Sequence, residues 1–201
     1  MSLAKIFSYI GLGIVGALII CVIVLACVPT KIMPTVKQPD QIIVYNGDTD
    51  YYIANKDSSD ETQKNNYDKI LNAFNSSGSY SILNTIFLGV VGSKFEINYV
   101  GSGSSESEPV STLKSKYEYV VELTFNEPYI LTDAYGNEYT PNANPTNNKI
   151  ASIAMGISNT GAQETVIYAY SESGSNYWTY VTFVNTSNLY NVCEDIEGYH
   201  A

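Results

Sequence analysis

Residues 117–125 read YEYVVELTF. Tyr117, Tyr119, Val121, Leu123 and Phe125 alternate with Glu118, Val120, Glu122 and Thr124. In a strand successive side chains point to opposite faces. This stretch therefore predicts a strand with one face on a core and the other toward water. The same period of two recurs at Phe95, Ile97 and Tyr99, and again from Trp178 through Tyr180, Thr182 and Val184. Ile150–Ile157 and Val166–Ser171 read as two further strands joined through Asn159–Gly161. Upstream, Gln41–Tyr45 (QIIVY) and Tyr51–Ala54 (YYIA) flank NGDTD, where Asn46-Gly47 signals a hairpin. The polar stretches 101–112 and 133–149 read as loops, with a tight turn at Asp133–Gly136.

The helices lie earlier. In DSSDETQKNNYDKILNAFNSSG (57–78), Ser58 and Glu61 fit a capping box. Tyr67, Ile70, Leu71 and Phe74 share one helical stripe, and Gly78 ends it. Within Tyr80–Val91, residues Ile82, Leu83, Ile86, Phe87 and Val90 fit a second short helix. Leu189, Val192, Cys193 and Ile196 have helical spacing near the end of the sequence. Helices clustered early and strands clustered later predict an α+β fold with an antiparallel sheet packed by one or two helices.

Ahead of this lies MSLAKIFSYIGLGIVGALIICVIVLACVPTK, with no charge between Lys5 and Lys31. As a helix, residues 6–28 would span roughly 34 Å, enough for a bilayer core of about 30 Å. A wholly apolar helix in a soluble protein must be buried on every side. The remaining chain is too small and polar to wrap it, so the membrane is the expected partner of residues 6–28. Lys5 opposes Lys31 and Lys37, which leaves the positive-inside count nearly tied. The Tyr-, Ser-, Asn- and Gly-rich remainder predicts a soluble domain on the extracellular side of the cell membrane. Two anchors fit. One is a retained transmembrane helix acting as a signal anchor. The other is lipidation at Cys27, because Val24-Leu25-Ala26-Cys27 resembles a bacterial lipobox, with Leu25 bulkier than usual. Gly13, Ala17 and Cys21 share a helix face that would allow close helix packing. The expected organisation is an anchor or signal segment at 1–28, a tether at 29–40 with Pro29, Pro34 and Pro39, and an extracytoplasmic domain at 41–201.

Composition narrows the chemistry. The formal net charge is -10, and every Asp and Glu lies after residue 39. All ten basic side chains are lysine. Phosphate backbones are held by Lys and Arg, so an acidic, arginine-free domain excludes a nucleic-acid role. Of the three cysteines, Cys21 and Cys27 lie in the apolar run and Cys193 stands alone downstream, so neither an intradomain disulfide nor a Cys-cluster zinc site can form. The one histidine, His200, is next to last and reads as a solvated tail residue. Cys193 reads as a small apolar helix residue. Glu118 with Glu122, and Asp48 with Asp50, are carboxylate pairs of the kind glycoside hydrolysis uses. Their positions read instead as a solvated strand face and a turn. NGDTD (46–50) and DSSDE (57–61) lack the spacing of a calcium loop. GSGSSESE (101–108) lacks the Gly-Lys of a phosphate cradle. The sequons at Asn75 and Asn185 carry no weight in an Asn/Ser-rich chain. No catalytic residue, metal site or cofactor is expected. The unusual excess is tyrosine, eighteen in all. Tyr117, Tyr119, Tyr168, Tyr170, Trp178 and Tyr180 all fall on expected strands. They are either ordinary strand aromatics or a binding face.

PDQIIVYNGDTDYYI (39–53) followed by NNYDKILNAF (65–74) resembles a layout of small membrane-anchored extracytoplasmic proteins, some of them lipoproteins, of low-GC Gram-positive bacteria. The resemblance covers residues 39–75. It implies an anchor, a proline tether, a first hairpin and a Tyr-x-x-Ile-Leu helix, and it brings no catalytic motif. The leading expectation is a non-enzymatic interaction or accessory/sensing domain of the cell envelope, in contact with an envelope protein or glycan. A lipid-anchored binding protein for a glycan or small solute is the alternative. A histidine-independent carboxylate hydrolase is the third reading.

Overall fold

A computed structural model describes residues 3–27, 29–31, 36–77, 79–81, 96–100, 109–132, 138, 149–160, 162–171 and 177–200. The first element is α1 (Leu3–Cys27), a helix of 25 residues. Its segment Tyr9–Ala26 is long and apolar enough to cross a membrane, and none of it is buried in the rest of the chain. Leu12, Ile14, Leu18 and Ile20 are each more than half exposed. The folded unit does not use this helix as core.

Strand β1 (Pro29–Lys31) pairs antiparallel with β4 (Ser79–Ser81). The remaining strands are β2 (Gln41–Asn46), β3 (Asp50–Asn55), β5 (Glu96–Val100), β6 (Tyr119–Ile130), β7 (Lys149–Ile157), β8 (Ala162–Ser171) and β9 (Tyr177–Asn185). They form one seven-stranded sheet in the order β3-β2-β6-β7-β8-β9-β5. Each neighbouring pair is antiparallel. With its helices this is the α+β fold expected from the sequence. Gly47 opens the β2–β3 turn at φ 66°, a left-handed conformation that glycine adopts without strain.

One row of register runs Ala54, Ile42, Leu123, Ile153, Ala169, and the next runs Tyr52, Val44, Val121, Met155, Ile167. Ala54, Ile42, Leu123, Ile153, Tyr52, Val44, Val121, Met155 and Ile167 are all buried in the main core. This face is covered by α2 (Glu61–Ser77) and α4 (Ser187–Glu194). Tyr67, Ile70 and Phe74 of α2 and Leu189 and Cys193 of α4 are fully or almost fully buried. At about 25 cal/mol per Å² of apolar surface removed from water, this layer is the main source of stability.

Some expectations need correction, and others fall on residues outside those described. The α2 cap is Asp60, not Ser58: the Thr62 N–H donates to Asp60 Oδ1 at 2.8 Å, and the Ser58 hydroxyl accepts from the Asp60 N–H at 3.2 Å. Part of the stretch expected as a loop is a helix, α3 (Pro109–Lys114). It lies on the second face of the sheet, where Val110 and Leu113 bury Val120 and Ala154. Val120 was expected to face water and is 1% exposed. The expected second helix at Tyr80–Val91 begins inside β4; its residues 82–91 lie outside those described, as do 101–108 and most of 133–148. Within the expected tether, Val36 is buried in the core, and the Lys37 N–H donates to the Tyr129 hydroxyl at 3.2 Å. The Tyr67 hydroxyl donates to the Pro39 carbonyl. His200 is exposed, but its backbone is not solvated. Tyr51 and His200 exchange two N–H···O bonds of 2.8 Å each along β3.

Candidate functional site

A cleft of about 360 Å³ opens at one end of the sheet, lined by Lys116, Tyr117, Glu118, Ile157, Ser158, Asn159 and Tyr190. Three segments meet there. The first is the turn leaving α3, where the N–H groups of Lys116 and Tyr117 both donate to the Leu113 carbonyl at 2.9 Å. That turn delivers Tyr117 and Glu118 to the start of β6. The second is the end of β7, where Ile157 leads into Ser158 and Asn159. The third is the first turn of α4, which supplies Tyr190.

Each wall is held rigidly. The Tyr117 ring packs against Gly156, and a Cβ built on that glycine would lie 2.2 Å from Tyr117 Cδ2. Only glycine leaves room for the ring. The Tyr190 hydroxyl donates to Glu118 Oε2 at 2.7 Å, and its ring meets Tyr119 edge-on at 5.1 Å. The Glu118 carboxylate, followed by burial, pushes the Tyr190 phenol up to about 12, so the phenol stays a donor at neutral pH. Thr186, 1% exposed, clamps the opposite wall. Its hydroxyl accepts from the Ser158 N–H at 3.0 Å and donates to the Ser158 carbonyl at 2.8 Å. The Glu118 carbonyl accepts from the Gly47 N–H at 2.8 Å, which ties the cleft to the β2–β3 turn.

The six aromatics singled out from the sequence do not share one surface. Tyr119 is 5% exposed in the main core. Tyr117, Tyr168 and Tyr170 pack on the second face around Val110, Leu113, Val120 and Ala154. Trp178 and Tyr180 pair across the ladder with Ala169 and Ile167. Among the described side chains of this set, Tyr117 lines the cleft. Cys27 is the last residue of α1.

The carboxylate pairs do not converge. Glu118 lines the cleft, whereas Glu122 is half-buried elsewhere and accepts from the Tyr45 hydroxyl at 2.9 Å. The Asp48 carbonyl accepts from Lys114 Nζ at 2.5 Å, and Asp50 Oδ1 accepts from the Thr49 hydroxyl at 2.9 Å. Among the described residues no three His, Cys, Asp or Glu side chains are grouped to hold a metal ion. Cys193 is fully buried, and burial pushes its thiol up to about 12. Sequence reasoning missed Tyr190, Ser158, Asn159 and Lys116 as a group. In the sequence Asn159 marks only a strand connection, and nothing in linear order brings residues 116–118 beside 157–159 and 190.

The cleft thus offers hydrogen-bonding groups, the half-buried ring of Tyr117 and one charge of each sign, and the chain that carries it is an α+β domain behind a membrane-length helix. No family model matches the chain, and no curated protein matches it. Among solved structures the chain is similar to YycH from Bacillus subtilis, at 13% identity and a TM-score of 0.39. The match covers 83% of this chain but 40% of that one, so this chain spans well under half of the other protein's length.

Proposed function

We propose that this chain is a membrane-tethered extracytoplasmic protein whose domain has a non-enzymatic accessory or sensing role in the cell envelope. One observation carries the reading: Tyr9–Ala26 is a membrane-length apolar helix with none of its residues buried in the fold. An apolar surface of that size is stable only against lipid or other protein. The acidic domain that follows would stand off anionic head groups rather than lie on them. The low-GC Gram-positive envelope is the setting that the resemblance over residues 39–75 implies.

The test is affinity capture of the full chain from crosslinked membranes, against a control in which residues 1–35 carry an unrelated domain. A discrete partner enriched over that control is expected; equal recovery by both would overturn the reading. Lipidation is the alternative anchor, and fatty-acid labelling that disappears in Cys27→Ala would establish it. A binding protein for a glycan or small solute is the second reading, favoured by the rigid cleft beside Tyr117.

A further inference from the structure

We propose that the cleft between Tyr117 and Tyr190 is a saccharide site, taking a short, uncharged sugar chain. This rests on the second reading above and gives it a site and a ligand class. The volume of about 360 Å³ falls at the small end of the roughly 300–1,000 Å³ typical of small-molecule clefts. A pyranose presents hydroxyls around its rim and C–H groups on its faces. The lining offers both kinds of group: the half-buried ring of Tyr117, a carboxylate from Glu118, an amide from Asn159 and an ammonium from Lys116, while the buried Tyr190 phenol is spent on Glu118 and the Ser158 hydroxyl is shared with Thr160 at 2.8 Å. Tyrosine supplies the amphipathic surface such a ligand needs.

Lys116 and Glu118 carry opposite charges, so the lining has no net pull on an anion or a cation. A peptide would need apolar pockets for its side chains or an open strand to pair with; the cleft's one aliphatic residue, Ile157, is 1% exposed. The site is also built before any ligand arrives. Gly156 seats the Tyr117 ring, Tyr190 fixes one oxygen of Glu118, and Thr186 holds both backbone groups of Ser158. Among the described residues the other Glu118 oxygen makes no hydrogen bond. Walls fixed in advance lower the ordering cost of binding.

The full chain in detergent micelles is titrated with N-acetylchitotriose, cellotriose, maltotriose and triglycine, and binding is followed by saturation-transfer NMR. At least one trisaccharide is expected to saturate. Tyr117→Ala and Asn159→Ala are each expected to weaken it about tenfold, and Glu118→Gln by a smaller factor. Thermal melts show whether a variant is folded. Asn159 is exposed, so its variant decides the matter even if Tyr117→Ala fails to fold. No saturation by any trisaccharide, saturation by triglycine alone, or unchanged affinity in Asn159→Ala each overturns the proposal. The envelope-partner reading falls separately: sugar binding without a crosslinked partner removes that reading and leaves the site, and a crosslinked partner retained by a chain that binds no sugar does the reverse.

Discussion

Gly156 and Tyr117 form one unit, since the ring occupies the space a side chain would need. Gly156→Ala forces the ring out of its seat and is expected to cost about 1–3 kcal/mol, as overpacking does. Denaturant titration measures it. In a Tyr117→Ala background the same change is expected to cost little, because residues in contact are not additive. Cys193 is chemically silent for a different reason. Its thiol is fully buried and pushed up to about 12, so almost no thiolate exists near neutral pH. With Cys21 and Cys27 replaced by serine, a thiol reagent at pH 8 is expected to label nothing until denaturant is added. Rapid labelling of the folded chain would contradict the packing of α4.

Among the elements, α2 and α3 carry separable costs. Asp60→Ala removes the acceptor of the Thr62 N–H and is expected to lower stability by about 1 kcal/mol. Leu113→Ala opens a cavity on the second face of the sheet and is expected to cost about 2–5 kcal/mol. Both are read from shifts in the denaturation midpoint. These elements also show what sequence can and cannot say. The stripes Tyr67-Ile70-Leu71-Phe74 and Leu189-Val192-Cys193 were legible because a buried helix face must repeat near 3.6 residues. The hairpin, β6, β7 and β8 were legible from alternation and turn residues. α3 was not: six residues hold one apolar pair, Val110 and Leu113, too little for a period to emerge. Pro109 at its first position was the available sign. Missing α3 put Val120 in water, since alternation says which residues share a face but not what covers it. The break in β6 register between Thr124 and Tyr129 coincides with Pro128, which has no ladder donor to give. The cleft was the least legible feature, because it is assembled by sheet order. Of its lining, the sequence marks Tyr117 and Glu118 as part of a strand pattern and Ile157 and Asn159 as a strand end and its connection, none of them as neighbours in a site.

Across the whole molecule, buried phenols and one buried thiol set a limit at high pH. Burial pushes Tyr67 and Tyr129 up to about 12 from an ordinary 10.0, and Tyr190 reaches the same value through Glu118. Tyr199 is pushed higher still, and Cys193 rises from 9.0 to about 12. The unfolded chain releases these protons at the ordinary values, while the folded chain holds them longer. Their contribution is therefore complete below about pH 9 and lost as pH rises through 10 toward 12. Unfolding midpoints measured from pH 8 to 12 are expected to be flat at first and then to fall steeply. A second whole-molecule property follows from the last described residues. Tyr51 spends its outward N–H and C=O on His200, and the outward N–H of Asn55 donates to Gln63 Oε1 at 3.3 Å. An outermost strand with vacant peptide groups is a template on which another copy can add. Clipping the chain before Tyr199 would bare that template, and the shortened protein would join to itself along β3, which light scattering on matched intact and trimmed samples would register as growth in size.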